Sequence, residues 1–72
     1  MTRNEADRVQ QYLREKFGNR SFYVRAGAHK DGTMEIHLDS EFIGTLYREE
    51  DEGEVSYHFE MAILDIDLPV AD

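Results

Sequence analysis

Cysteine is absent from the sequence. That removes disulfides, thiolate metal sites and cysteine nucleophiles together, and it suits a reducing compartment, so cytoplasm is the expected location. No stretch approaches the roughly 18 apolar residues of a membrane span. Met1-Thr2-Arg3-Asn4-Glu5 leads into charged residues rather than the apolar core of a signal peptide. Neither secretion nor membrane insertion is expected. Basic residues are scarce after the midpoint: residues 37–72 contain only Arg48 against eleven acids, whereas residues 1–36 carry seven Lys or Arg and five acids. The chain therefore divides into halves of +2 and −10, and the second would repel a phosphate backbone or an anionic lipid surface.

At 72 residues there is room for one domain and one core. A domain of this size buries only about 60% of the surface its unfolded chain exposes, so stability should be modest and a second subunit would add to it.

The periodicity changes once. Thr2-x-x-Glu5 is a capping box, in which the hydroxyl accepts from the N3 amide and the carboxylate accepts from the cap amide. Ala6, Val9, Leu13 and Phe17 follow at the 3.6-residue period, Arg14 and Lys16 oppose the negative end of the helix dipole, and Gly18 supplies a left-handed end. A helix over 3–17 follows. From Ser21 the period falls to two, giving strands over 21–26, 33–38, 42–48 and 55–63. They are separated by turns at Gly27 to Gly32, Asp39-Ser40-Glu41 and an acidic, solvated connector at 49–54. Gly44 marks a bulge or the close approach of another backbone, with the helix as the expected neighbour. The alternation slips near Ile63-Leu64, so 64–68 is out of phase with what precedes it, through a bulge or a strand that ends. Pro69 closes the ordered part and 70–72 should fray.

These elements make an α+β fold, a single α-β-β-β-β domain over 1–72 with one N-terminal amphipathic helix packed on a four-stranded antiparallel β-meander. The helix should cover Phe22, Val24, Met34, Ile36, Leu38, Phe42, Leu46, Val55, Tyr57, Phe59 and Met61. The opposite face should carry Tyr23, Arg25, His37, Ile43, Thr45, Tyr47 and His58.

Three segments, Tyr12-Leu13-Arg14-Glu15-Lys16-Phe17-Gly18-Asn19, Phe42-Ile43-Gly44-Thr45-Leu46-Tyr47 and Met61-Ala62-Ile63-Leu64-Asp65-Ile66-Asp67-Leu68, resemble a small alphaproteobacterial family of unknown function. The resemblance covers most of the chain. It implies a compact cytosolic bacterial protein and carries no activity, ligand or catalytic residue with it.

The chemical motifs are few. His29 falls in the first hairpin, and His37 and His58 fall on strands two and four, about 9.6 Å apart at 4.8 Å per strand, too far to share a zinc ion bound at about 2 Å. Placing Gly53 at the sixth position of a calcium loop puts Arg48 first and Phe59 twelfth, where carboxylates are required. Asp65 and Asp67 read as a wet strand face. A Ser56-His58-Glu60 set has the residue types of a catalytic triad but no evident oxyanion donor. No phosphate loop, nucleophile elbow or dinucleotide motif is present. The expectation is a protein that is not an enzyme, with no catalytic residue, cofactor or metal. Its partner surface is the open sheet face, Tyr23, Arg25, His37, Ile43, Tyr47 and His58, or an exposed strand edge, and its partner is another protein or a second copy as a homodimer. The alternative is a small-ligand or single-stranded nucleic-acid domain that stacks its target on Tyr23, Tyr47 and His58. The net charge weighs against nucleic acid. Cross-strand pairs that only stabilise the sheet account for the same residues as well as a partner surface does, and a small enzyme ranks third among the functional readings.

Overall fold

The computed structural model describes residues 1–27 and 31–70. Helix α1 spans Arg3–Phe17 and is followed by four strands, β1 (Phe22–Ala26), β2 (Met34–Leu38), β3 (Glu41–Asp51) and β4 (Glu54–Glu60), then a short 3-10 turn at Asp65–Asp67. The strands form one antiparallel sheet in the order β1-β2-β3-β4. This is the α+β arrangement that the periodicity predicts. The predicted first hairpin turn includes Ala28, His29 and Lys30, which lie outside the described residues, as do Ala71 and Asp72 of the predicted frayed end.

The helix begins as the capping box dictates. The Glu5 amide donates to Thr2 Oγ1 at 3.1 Å, and the Thr2 amide donates to Glu5 Oε1 at 2.9 Å. At the other end Gly18 adopts φ +60, and the Asn19 amide donates to the Arg14 carbonyl at 3.0 Å. Leu13 packs with Phe22, Ile36 and Leu46 into the buried cluster, and Ile36 and Leu46 are closed off from solvent almost completely.

The helix lies toward one side of the sheet. Its main neighbour is β1, whose outer edge it satisfies directly: the Val24 amide donates to Gln10 Oε1 at 3.0 Å, and Arg14 Nε donates to the Phe22 carbonyl at 2.8 Å. Pairing with another chain at that edge is thereby blocked. One helix about 10 Å wide cannot also cover β3 and β4 of a sheet whose outer strands stand about 14 Å apart. Tyr57 and Phe59 are accordingly only half-buried. The helix N-terminus is tied across to them through Glu5, whose second carboxylate oxygen accepts from Arg48 Nε at 2.8 Å and from the Tyr57 hydroxyl.

Four details depart from the sequence reading. First, β3 bulges. Ile36 faces Gly44, but His37 faces Phe42, so Ile43 is an extra residue in β3. The inserted residue reverses the expected faces: Ile43 packs against the buried cluster and Phe42, expected in the core, turns out beside His37. Second, the close approach at Gly44 comes from β4 rather than from the helix. A Cβ there would meet the Glu60 carbonyl oxygen and lie 2.6 Å from Phe59 Cε1. Third, the acidic connector is mostly strand. β3 and β4 remain paired out to Asp51 and Glu54, and the reversal takes only Glu52 and Gly53, at φ +50 and +84, the positive pair that a two-residue hairpin needs. Fourth, β4 ends at Glu60, three residues before the predicted end, and the phase slip at 63–64 lies in chain that has already left the sheet. Val55 and Met61, expected in the core, are exposed.

Candidate functional site

On the face opposite the helix, the antiparallel register places Tyr23 beside His37 and Tyr47 beside His58. The Tyr23 ring, 40% exposed, has the Arg14 guanidinium 4.7 Å and the Arg25 guanidinium 5.3 Å from its centroid, a cation–π arrangement. His37 Nε2 lies 3.0 Å from Glu35, and its ring meets Phe42 edge-on at 5.7 Å. The Tyr47 and His58 rings stack at 5.0 Å, the Tyr47 hydroxyl donates to Glu60 at 3.2 Å, and His58 Nε2 lies 2.8 Å from Glu49. Partial desolvation and the negative charges of Glu60 and Glu49 push the Tyr47 phenol above its ordinary value.

Of the six residues predicted to form a partner surface, Tyr23, Arg25, His37, Tyr47 and His58 do share this face, and Ile43 does not. The five form two clusters, one around Tyr23 and His37 and one around Tyr47 and His58, with the Glu35–Thr45 pair between them in the register. Both clusters are internally paired, as cross-strand packing requires.

The Ser56-His58-Glu60 set takes a form different from a triad. Ser56 Oγ comes within 3.1 Å of His58 Nε2, because the side chains lean together, but Glu49 approaches that same nitrogen and Glu60 binds Tyr47 instead. A triad holds serine and acid on opposite nitrogens of the imidazole. Among the described residues no three His, Asp or Glu side chains converge on a point that could hold a metal ion. Among the described residues no helix is long and apolar enough to cross a membrane.

A contiguous apolar surface lies elsewhere, beyond β4. After Glu60 every described residue is exposed. Met61, Ile63, Leu64, Ile66 and Leu68 form an apolar strap, with Ile63 68% and Ile66 87% exposed. Its internal order consists of one 3-10 turn in which the Asp67 amide donates to Leu64 and the Leu68 amide to Asp65. The strap borders a cleft of about 870 Å³ whose far wall is the start of β3, including Phe42, Ile43 and Gly44. That stretch of β3 has no partner on its β4 side, because the β3–β4 pairing begins at Thr45 and Glu60. A second groove of about 510 Å³ runs between α1 and the β3–β4 side of the sheet, floored by Leu13, Leu46, Tyr57 and Phe59 and rimmed by Arg8 and Tyr12.

Sequence reasoning missed the strap as a site by reading 55–63 as one strand with Met61 in the core, and 64–68 as a phase-shifted segment beyond a bulge or a strand end. One signal was available: 61–64 is four apolar residues in succession, more than an alternating half-buried strand uses.

No curated protein and no solved structure matches this sequence. The profile described as "Protein of unknown function (DUF3126)" matches residues 5–67, a span that takes in the helix from Glu5 onward, all four strands and the strap as far as Asp67. The chain belongs to the DUF3126 family, whose function is unknown.

Proposed function

We infer that this chain is a non-enzymatic protein-interaction module, and that it meets its partner through the strap after β4 and the adjoining open edge at the start of β3. The observation that carries this reading is the run of exposed apolar side chains from Met61 to Leu68 beside an exposed Phe42. A soluble domain that leaves so contiguous an apolar surface uncovered ordinarily covers it with a partner. The absence of cysteine and the acidic balance support a bacterial cytoplasmic setting, where the family resemblance also points. The five aromatic and charged residues on the open sheet face then act mainly to stabilise the sheet, since each is engaged by a neighbour within that face or by Arg14.

The test places a photo-crosslinking amino acid at Ile66 in the full chain and, separately, at Thr45 on the opposite face. A discrete protein adduct from position 66, and none from position 45, is the expected outcome. Discrete adducts only from position 45 would return the contact to the open sheet face. No adduct from either position would overturn the interaction reading.

A further inference from the structure

We propose that the partner is a second copy of this chain, and that the two copies exchange straps, each laying Met61 to Leu68 along the other's groove between α1 and the β3–β4 side of the sheet. This rests on the interaction reading above and names the occupant.

Complementarity is the first argument. One chain contains both halves of a contact: an apolar strap that none of the described residues covers, and an open apolar groove floored by Leu13, Leu46, Tyr57 and Phe59. A foreign partner would have to supply a matching groove and a matching strap. A second copy supplies both through one two-fold operation, and the assembly closes with no strap left over.

Charge is the second. The strap carries Asp65 and Asp67 and no cation. Arg8 stands on the groove rim, with Arg3 close by in an adjoining depression. Among the described residues none of these four is in an ion pair. Glu5, the acid on the rim, is already matched by Arg48, and Asp7 shares the adjoining depression with the two arginines, leaving one acid against two cations there. The acidic strap would thus meet the arginine-bearing helix side of the groove, in a molecule whose total charge would otherwise resist self-association.

Connectivity is the third argument, and it decides against the strap filling its own groove. Phe59 floors the groove and the chain leaves the sheet one residue later. Filling its own groove would require the chain to reverse at once, over Glu60-Met61-Ala62-Ile63, which contains no Gly, Pro, Asn or Asp to make the turn. The chain instead runs outward, and the molecule measures 48 × 25 × 23 Å, elongated for 72 residues.

The chain's lack of cysteine allows a direct test. A spin label is attached to Asp67→Cys in unlabelled protein, which is mixed with ¹⁵N-labelled wild type carrying no spin label. Broadening of the Val9, Tyr12 and Leu13 amides in the ¹⁵N chain is expected, and it can arise only between molecules. Light scattering should give twice 8.4 kDa for wild type and a monomer for Leu64→Asp/Ile66→Asp, whose circular dichroism should be unchanged because both side chains are exposed. Arg8→Glu should weaken dimerisation about tenfold, and adding Asp65→Arg and Asp67→Arg to that chain should recover most of the loss.

A monomeric wild type overturns the proposal, as does a dimer indifferent to the Leu64→Asp/Ile66→Asp change, or a mixed sample in which the Val9, Tyr12 and Leu13 amides are not broadened. These failures differ from failure of the interaction reading. A monomeric wild type that still gives a discrete adduct from position 66 with a different protein keeps the module and discards the exchange.

Discussion

Replacing Gly44 by alanine tests the most closely packed point in the fold. The added Cβ would press on the Glu60 carbonyl oxygen, stand 2.6 Å from Phe59 Cε1 and 3.2 Å from the Glu60 carbonyl carbon. The two obstacles differ in kind. The Phe59 ring is half-buried beside an open groove and can swing outward, whereas the Glu60 carbonyl belongs to the backbone and shifts only if the last β3–β4 pair, Thr45 with Glu60, separates. Overpacking of this sort costs about 1–3 kcal/mol, and loss of one terminal backbone hydrogen bond adds about 1 kcal/mol. The reduced entropy of the unfolded chain offsets about 0.4–1 kcal/mol. The net expectation is a loss of about 2 kcal/mol, which in a domain of this size lowers Tm by roughly 8–16 °C. Thermal unfolding followed by circular dichroism reads this directly. Gly44→Ala combined with Phe59→Leu separates the two obstacles: it relieves the ring contact and leaves the carbonyl contact, so any rescue should be partial. A Gly44→Ala protein melting at or above the wild-type temperature would refute the packing argument.

Ile36→Ala should cost about 2–5 kcal/mol, since Ile36 is fully enclosed, and Phe59→Ala should cost less because one side of its ring faces the groove; urea titration of the two variants gives the order. Ser40→Gly should raise stability by up to about 1–2 kcal/mol, because Ser40 is held at φ +67 in the β2–β3 turn, where a side chain is strained, and a melting temperature below wild type would count against that account. Stability should also decline in acid through Glu5. Its carboxyl is lowered from 4.5 to about 2, first by the Thr2 amide and then by Tyr57, so the folded state favours the ionised form. The contribution is complete above about pH 4.5 and is lost as the pH falls toward 2. A Glu5→Gln variant should show a flatter acid limb in pH-dependent melting.

The helix was legible because every signal for it is local. Thr2, Glu5 and Gly18 fix its ends within the chain itself, and the periodic spacing of Ala6, Val9 and Leu13 turns one side to the sheet. The strands were legible in number and order for a similar reason, since alternation and turn residues are read from neighbours in sequence. The face of each residue in β3 was not, because the bulge at Ile43 is a property of the β2–β3 register and a single strand contains no record of its partner's phase. The length of the β3–β4 hairpin was misread because six acidic or glycine residues suggest solvent rather than pairing. Here Glu49 is held by His58 and Glu50 by Arg48, contacts that offset the poor strand propensity of glutamate. The open-face residues were found by alternation, while the strap was hidden because apolar residues on alternate positions read as core whether or not anything covers them.

The bulge and the strap have a common origin. Continuing the β3–β4 register past Thr45 and Glu60 would set Met61 opposite Gly44 and carry β4 on toward Phe42. Three features stop it there: Ile43 is inserted into β3 and shifts its register, and the Glu60 carbonyl and the Phe59 ring both occupy the space where a side chain at 44 would stand. The absence of a Cβ at position 44 lets β4 come close enough to end against β3, and the chain beyond is released with its apolar residues uncovered. Gly44 therefore sets the point and direction of the strap's departure as well as the packing beneath it. If the strap is the contact surface, Gly44→Ala should weaken association by more than its loss of stability explains. Ser40→Gly, remote from the exit, should leave association unchanged. Sedimentation equilibrium of the two variants at a temperature where both are fully folded makes the comparison, and equal association in both would disconnect the bulge from the contact.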